Sequence, residues 1–156
     1  MDMPPLFADY LERLQALHHS IATTIEGLPP EALRWQPGQD MNSIGVLVTH
    51  TAGAERFWMG DMVQQDPSGR VRADEFTADQ FTAAGLQQLL QDTLAHSTQV
   101  LVNLTHDDLE REVFSGQHGR SFRVAWSLMH ALEHTAQHMG HIDITRQLWE
   151  QQTATK

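Results

Sequence analysis

The chain has 156 residues, of which 40% are hydrophobic and 19% are charged, a composition typical of one globular domain spanning residues 1–156 rather than a disordered segment. Twenty Asp and Glu residues outnumber ten Lys and Arg residues, so the formal charge is −10, and Lys156 is the single lysine. Phosphate backbones and anionic lipids bind clusters of basic side chains, so this balance argues against nucleic acid and membrane partners.

Targeting signals and cysteine are both missing from the sequence. No stretch reaches the roughly 18–20 apolar residues that cross a bilayer, and Met1–Pro5 lacks the basic start and apolar run of a signal peptide. These features predict a cytoplasmic protein. Without cysteine there is no disulfide and no protein thiolate, so any metal must bind His, Asp or Glu side chains.

Apolar residues spaced three and four apart predict four amphipathic helices, over about residues 5–27, 43–65, 77–104 and 121–150. Leu28–Pro30 is expected to end the first helix, and Ser43 is expected to cap the second, which ends at the turn Asp66–Gly69. Thr77 is expected to precede the third helix, and Ser121 to open the fourth.

The segments between these helices are long. Glu31–Asn42 is expected to cross an end of the bundle, and Glu112–Phe114 is the one place where strand residues fit the pattern. An up-down bundle of helical hairpins would need shorter loops. The sequence therefore predicts an all-α four-helix bundle with long crossover connections.

Histidine is the most informative residue type, with ten in the chain. His130, His134, His138 and His141 fall within twelve residues of the last predicted helix. At about 100° per residue these four lie within roughly 80° of one another, so they share one face. Neutral imidazoles four residues apart on a helix can converge on one metal ion.

A histidine on the second helix strengthens this interpretation. His50 lies between Leu47 and Ala54 on the apolar face, where an unpaired imidazole would be costly. A divalent ion held by His50, His134 and His138 would satisfy it and leave coordination positions open for water or substrate. Alternatively, His50 is a core residue bonded to a carbonyl, and the other two face solvent.

The remaining candidates receive weaker assignments. His130 and His141 are interpreted as orienting or packing residues rather than ligands. Glu55 and Glu133 are the carboxylates nearest the proposed ligands in sequence, but no catalytic residue is assigned. Surface positions are expected for His18, His19, His96, His106 and His118, and core positions for Trp35, Phe57, Trp58, Trp126 and Trp149.

Four segments resemble those of one known family. Trp35–Gly38, Ser43–His50 and Glu55–Trp58 are similar to the first half of the DinB/YfiT-like family of metal-dependent enzymes, and Met129–Ile142 is similar to its second half. The resemblance implies a four-helix bundle with long crossovers, often dimeric, that binds a divalent metal through one histidine of the second helix and two of the last. Here these are His50, His134 and His138.

The resemblance also implies a function. Family members of known activity join a low-molecular-weight thiol, such as bacillithiol or mycothiol, to a small electrophile, or isomerise a substrate with such a thiol. The expected cofactor is zinc, nickel or iron, which lowers the pKa of bound thiol or water. This chain has no cysteine, so the thiol would be a co-substrate.

Two other functional hypotheses remain open at this point. One is a non-catalytic, dimeric helical module in which the metal only stabilises the fold. The other is a bundle without metal, whose histidines have ordinary hydrogen-bond partners. A substrate-sized cleft beside the proposed ligands favours the enzyme, whereas a closed, fully protein-ligated site favours the module.

Overall fold

The computed structural model describes residues 3–154, in which helices predominate. The four long helices are α1 Pro5–Ile25, α3 Ile44–Arg56, α5 Ala83–Asn103 and α6 Val124–Ala154. A π-helical segment, Phe57–Gln64, continues α3 directly. The connections contain α2 Pro30–Arg34, α4 Arg72–Thr77, a 3-10 turn at His106–Glu110, and the antiparallel strands β1 Glu112–Ser115 and β2 Arg120–Arg123. Within residues 3–154 no helix is both long and apolar enough to cross a membrane.

The packing of the long helices explains the long connections. α1 packs against α5 and α6, and α3 packs against the same two helices. Helices that follow each other along the chain, α1 then α3 and α5 then α6, therefore occupy opposite corners of the bundle. A chain that moves between opposite corners must cross an end of the bundle, which short loops cannot do. The predicted all-α bundle with long crossovers is confirmed.

Several predicted helix ends also agree with the structure. α1 ends at Ile25, just before Leu28–Pro30, and Gly27 adopts a left-handed φ of 69° that other residues rarely adopt. Ser43 caps α3, because its hydroxyl accepts a hydrogen bond from the backbone N–H of Val46. Strand residues do occur at Glu112–Ser115.

Two predicted helix starts are wrong. α5 begins at Ala83 rather than near Thr77, because the hydroxyl of Thr82 caps it by accepting from the N–H of Gly85. Residues up to Thr77 belong to the separate short helix α4. The last helix begins at Val124 rather than Ser121, because Ser121 pairs with Phe114 in the hairpin.

The core consists of two apolar clusters with a polar layer between them. One cluster includes Phe7, Met59, Leu101 and Leu128, and the other includes Ile21, Ile44, Leu90 and Ile142. Along each long helix, the positions between the two clusters carry buried or half-buried polar side chains: His18, His50, Glu55, Thr93, Ser97, His134, Thr135 and His138. Buried polar groups need partners, so this layer is where a functional site is expected.

Candidate metal centre

Three histidines of the polar layer converge between α3 and α6. One ring nitrogen from each of His50, His134 and His138 lies within 4.8 Å of the others. The Nε2 atoms of His50 and His134 are 3.2 Å apart, and the ring centroids of His134 and His138 are 4.4 Å apart. The spacing of four residues on α6 places its two imidazoles on one face, opposite His50. The structure thus brings together the three residues that the sequence singled out.

The donor set fits a divalent metal ion. His50 donates from Nδ1 to Glu75, and in the neutral ring Nε2 then carries a lone pair that points at Nε2 of His134. Either a proton or a cation must lie between these two atoms. Two nitrogens bound at about 2.0–2.1 Å to one tetrahedral ion would be about 3.3–3.4 Å apart, close to the separation seen here. The buried Nδ1 of His134 has no hydrogen-bond partner among the described residues, whichever of the two ring nitrogens carries the proton.

The electrostatic environment keeps the α6 imidazoles neutral. Burial, followed by the nearby His138, His50, His130 and Arg70, lowers the pKa of His134 to about 3. Burial, followed by His50 and His141, lowers the pKa of His138 to about 4. Neutral imidazole is the form that binds a metal ion, so both rings are ready to bind at neutral pH.

A carboxylate that sequence reasoning missed orients His50. Glu75, on the short helix α4, accepts from His50 Nδ1 at 2.8 Å, and Arg70 donates to both Glu75 oxygens at 2.5 and 2.9 Å. Burial raises the pKa of Glu75, but the hydrogen bonds from Arg70 and His50 outweigh it and hold the pKa below its ordinary value. A carboxylate behind a ligating histidine fixes the ring and its tautomer.

A glycine on α3 makes room for this carboxylate. A methyl group at Gly53 would overlap the Glu75 carboxylate and would lie within 3.4 Å of Arg70 Nε. Neither Glu75 nor Arg70 carries a motif that marks it in the sequence, since both lie in the connection between two predicted helices. The only available signal was Gly53 itself, three residues after His50 on the same helix.

An open cleft adjoins two of the three histidines, His50 and His134. It has a volume of about 160 Å³ and is lined by His50, His134, Trp58, Arg72, His118 and His130, among others. The His130 ring stacks on Trp126 with centroids 4.8 Å apart and planes 14° apart, and it also meets the edge of Trp58 at 4.7 Å. A second cleft of about 390 Å³ shares Arg70 and Gln117 with the first. The site therefore has a wall of flat rings and space for small molecules.

Other predicted site residues lie outside the cluster. His141 is exposed, with its Nδ1 3.3 Å from Nδ1 of His138, and His130 lines the cleft. Glu133 has 80% of its side chain exposed, and its carboxylate lies 3.9 Å from Nδ1 of His130. Glu55 is buried but bonds to His18 and Ser97 rather than to the cluster. Neither carboxylate named from the sequence belongs to the site.

Two further expectations need correction. His18 is not a surface residue: it is buried, because Nε2 lies 2.6 Å from a Glu55 oxygen in the interior of the bundle. His118 is exposed as expected, yet it lines the cleft. Trp58 and Phe57 are core residues, whereas Trp126 is partly exposed beside His130.

Comparison with known proteins identifies the family and the fold of the chain. The profile of the mycothiol S-transferase family matches residues 9–151. The chain belongs to this family. The resemblance to DinB/YfiT-like proteins is thereby confirmed. No curated protein sequence matches this chain.

Solved structures share the fold of this family member at low sequence identity. A conserved protein from Enterococcus faecalis has a TM-score of 0.73 at 14% identity, covering 89% of this chain and 94% of its own. YfiT from Bacillus subtilis, described as "a probable metal-dependent hydrolase with an unusual four-helix bundle topology", has a TM-score of 0.68 at 13% identity over 90% and 86%. A mycothiol-dependent maleylpyruvate isomerase has a TM-score of 0.61 at 14% identity over 85% of this chain and 59% of its own.

Proposed function

We propose that this protein is a metal-dependent enzyme that transfers a low-molecular-weight thiol, of the mycothiol type, to a small electrophile. His50, His134 and His138 would hold the divalent ion, and an all-imidazole site suits zinc, nickel and iron. The observation that carries the proposal is the convergence of three imidazoles beside an open cleft. When bound, the ion would favour the thiolate over the thiol.

The residues of the chain supply the remaining roles. Glu75, held by Arg70, accepts a hydrogen bond from Nδ1 of His50 and so directs Nε2 of that ring at the site. His130 and His118 are the cleft imidazoles outside the cluster, and burial lowers the pKa of both, so each is neutral and able to accept the proton that the thiol loses. In the transfer, a carbon–sulfur bond forms, the bond to the leaving group breaks, and the thiol proton leaves through one of these imidazoles to solvent.

The cleft also favours an enzyme over a structural metal module. A structural site is closed by four protein ligands, whereas here three histidines converge and no fourth His, Asp or Glu joins the group among residues 3–154. The family and the mycothiol-dependent isomerase of the same fold support a thiol rather than water as the nucleophile. Hydrolysis, with water in place of thiol, is the second candidate, supported by the description of YfiT.

A turnover assay tests the proposal. The protein, with and without chelator treatment, would be given mycothiol and 1-chloro-2,4-dinitrobenzene, and a parallel panel would contain activated esters without thiol. We expect thiol-dependent turnover that chelation abolishes and a divalent ion restores. His134→Ala should be inactive, and His19→Ala, an exposed change on α1, should be fully active. Ester hydrolysis without thiol transfer would favour the hydrolase, and no metal-dependent turnover of either kind would contradict the proposal.

Location and assembly complete the proposal. From the sequence and the family resemblance we expect a cytoplasmic protein that forms a homodimer. Low-molecular-weight thiols are abundant in reduced form in the cytoplasm. Light scattering after size-exclusion chromatography distinguishes a dimer of about 35 kDa, twice the 17.6 kDa chain, from a monomer.

A further inference from the structure

The row of imidazoles on α6 extends beyond the candidate metal centre at both ends. The ring of His130 lies 5.9 Å from that of His134, and the ring of His141 lies 5.3 Å from that of His138, measured between centroids. Spacings of three and four residues keep the four rings on one face of the helix. His130 lines the cleft, whereas His141 has no part in the proposed reaction. A role for His141 therefore has to be sought elsewhere.

Burial increases along this row from His141 inward. His141 is exposed, His138 and His134 are half-buried, and His50 on α3 is buried. The ring centroids are 5.3 Å apart from His141 to His138, 4.4 Å apart from His138 to His134, and 5.0 Å apart from His134 to His50. Adjacent imidazoles thus lead from solvent to the deepest proposed ligand.

The outer pair, His138 and His141, has the spacing of a metal-binding pair. The two Nδ1 atoms are 3.3 Å apart, which matches two nitrogens bound at about 2.0–2.1 Å to one tetrahedral ion. Without an ion, a proton on one of the two nitrogens bridges them and holds the rings at this distance. The cluster of three converging histidines includes His138 but not His141. An ion on the outer pair would therefore lie beside the centre and share His138 with it.

The cleft reaches the centre from a different side. It is lined by His50 and His134 but not by the outer pair. Arg72, whose guanidinium lies over an aromatic ring, adds positive charge on the cleft side, which opposes the approach of a cation. The chain as a whole has a net charge of −10, which attracts cations to the rest of its surface. The side of His141 is therefore the better entrance for a metal ion.

We propose that the outer pair is an entry site, which captures a divalent cation from solvent and passes it to His50 and His134. In this exchange the bond to His141 breaks as bonds to the two inner histidines form. Each arriving nitrogen displaces a bound water, so the ion keeps its charge and oxidation state. The inference rests on the metal centre of the proposed function and is independent of the reaction. It makes His141 a residue that sets the rate of metal exchange without being a ligand of the loaded centre.

The rates of zinc uptake and release test the inference. Zn²⁺ would be mixed rapidly with the metal-free protein and followed with a zinc-sensitive dye, and release would be followed after addition of excess chelator. We expect His141→Ala to slow uptake by about tenfold, at the low end of the one to three decades over which association rates vary among variants of one site. Release should slow by the same factor, because the ratio of the two rates is the affinity, which the inner ligands determine. His141→Glu, whose carboxylate also binds zinc, should recover part of both rates.

His130→Ala is the matched control, because His130 occupies the opposite end of the same row and lines the cleft. It should take up Zn²⁺ at the wild-type rate. Wild-type uptake in His141→Ala would overturn the inference. Slow uptake in His130→Ala would also overturn it, by placing the entrance at the cleft. Faster release from His141→Ala would do the same, by showing that His141 is a ligand of the centre.

The outcome is separable from that of the proposed function. If the rate of uptake depends on His141 but no metal-dependent thiol transfer occurs, the proposed reaction fails and the entry site stands. If thiol transfer occurs and uptake does not depend on His141, the entry site fails and the reaction stands. A wild type that takes up no Zn²⁺ would overturn both.

Discussion

Two histidine–glutamate pairs lie in the polar layer of this bundle, and they share helix α3. His50 meets Glu75 at 2.8 Å, and Glu55 meets His18 at 2.6 Å, with all four residues buried. By distance and burial the two pairs are alike. Only the first forms part of a candidate site.

The difference lies in what surrounds each pair. Glu75 is neutralised by Arg70, and the second nitrogen of His50 faces His134 at the edge of an open cleft. Glu55 instead accepts from Ser97, and the second nitrogen of His18 is buried with no hydrogen-bond partner in the described part of the chain. A histidine–carboxylate pair is therefore insufficient to define a metal site. Convergence of further imidazoles and access from solvent distinguish the first pair from the second.

The largest expected effect is a loss of stability when the pair of Glu55 and His18 is broken. Glu55→Ala removes the partner of both His18 and Ser97 in the interior, so we expect the free energy of unfolding to fall by about 3 kcal/mol in urea denaturation of the metal-free protein. Glu133→Ala, on the exposed face of α6, should change it by no more than about 0.5 kcal/mol. A loss below about 1 kcal/mol for Glu55→Ala would show that the second pair is not structural.

Metal affinity should show the opposite pattern, with a loss when Glu75 is changed and none when Glu55 is changed. Glu75→Gln removes the charge that compensates Arg70 behind His50, and we expect divalent-metal affinity to fall about 10- to 100-fold in competition with a chelating dye. Glu55→Gln, which keeps a hydrogen-bonding side chain at the other pair, should bind metal like the wild type. Equal losses of metal affinity in the two variants would show that the two pairs do not differ in their effect on metal binding.

A smaller effect is expected from a residue that touches no proposed ligand. A methyl group at Gly53 would displace the Glu75 carboxylate, so Gly53→Ala should lower metal affinity by about three- to tenfold. Gly140→Ala is the control: it lies on α6 between His138 and His141, and its added methyl meets no atom within 4 Å. That variant should bind metal normally and gain about 0.5–1 kcal/mol of stability, as alanine replaces glycine in a helix. Wild-type affinity in Gly53→Ala would mean that Glu75 does not support the site.

The smallest effect concerns the pH dependence of the metal-free protein. The pKa values of His134 and His138 are about 3 and about 4 in the folded chain, below the value of about 6.5 in an unfolded chain. Between these values the unfolded state binds more protons, so stability is complete above pH 6.5 and falls as the pH decreases toward 4. Both side chains are half-buried, so solvent screening limits the loss to about 1 kcal/mol for each.

Chemical denaturation at pH 7.5, 6 and 5 measures this slope, and His134→Gln should make it shallower. If stability depends on pH in His134→Gln as steeply as in the wild type, His134 does not titrate as described. His19→Gln is the matched control, because His19 is an exposed histidine of α1 and should leave the slope unchanged.

The spacing of residues within single helices is enough to predict the four long helices and the helix faces that carry the three converging histidines. The four-residue spacing of His134 and His138 places them on one face, and the apolar neighbours of His50 place it toward the core. These signals are local, so one sequence is sufficient to interpret them.

The missed features depend on contacts between distant segments. Glu75 and Arg70 lie in the connection between α3 and α5, and no spacing in the sequence relates them to His50. His18 was assigned to the surface because its partner Glu55 is 37 residues away on a diagonal helix. The local sequence predicts that Ser121 opens the last helix. This prediction fails because Ser121 pairs with Phe114 in the hairpin, and that pairing overrides the local capping signal.

Elemental analysis of untagged protein tests the central claim most directly. Divalent metal per chain would be measured in the wild type, in His50→Ala and His138→Ala, and in His141→Ala, whose exposed ring neighbours the cluster without belonging to it. We predict one divalent ion per chain in the wild type and in His141→Ala, and none in the other two. Equal metal content in all four proteins, or a wild type that stays metal-free after incubation with zinc and nickel, would contradict the account.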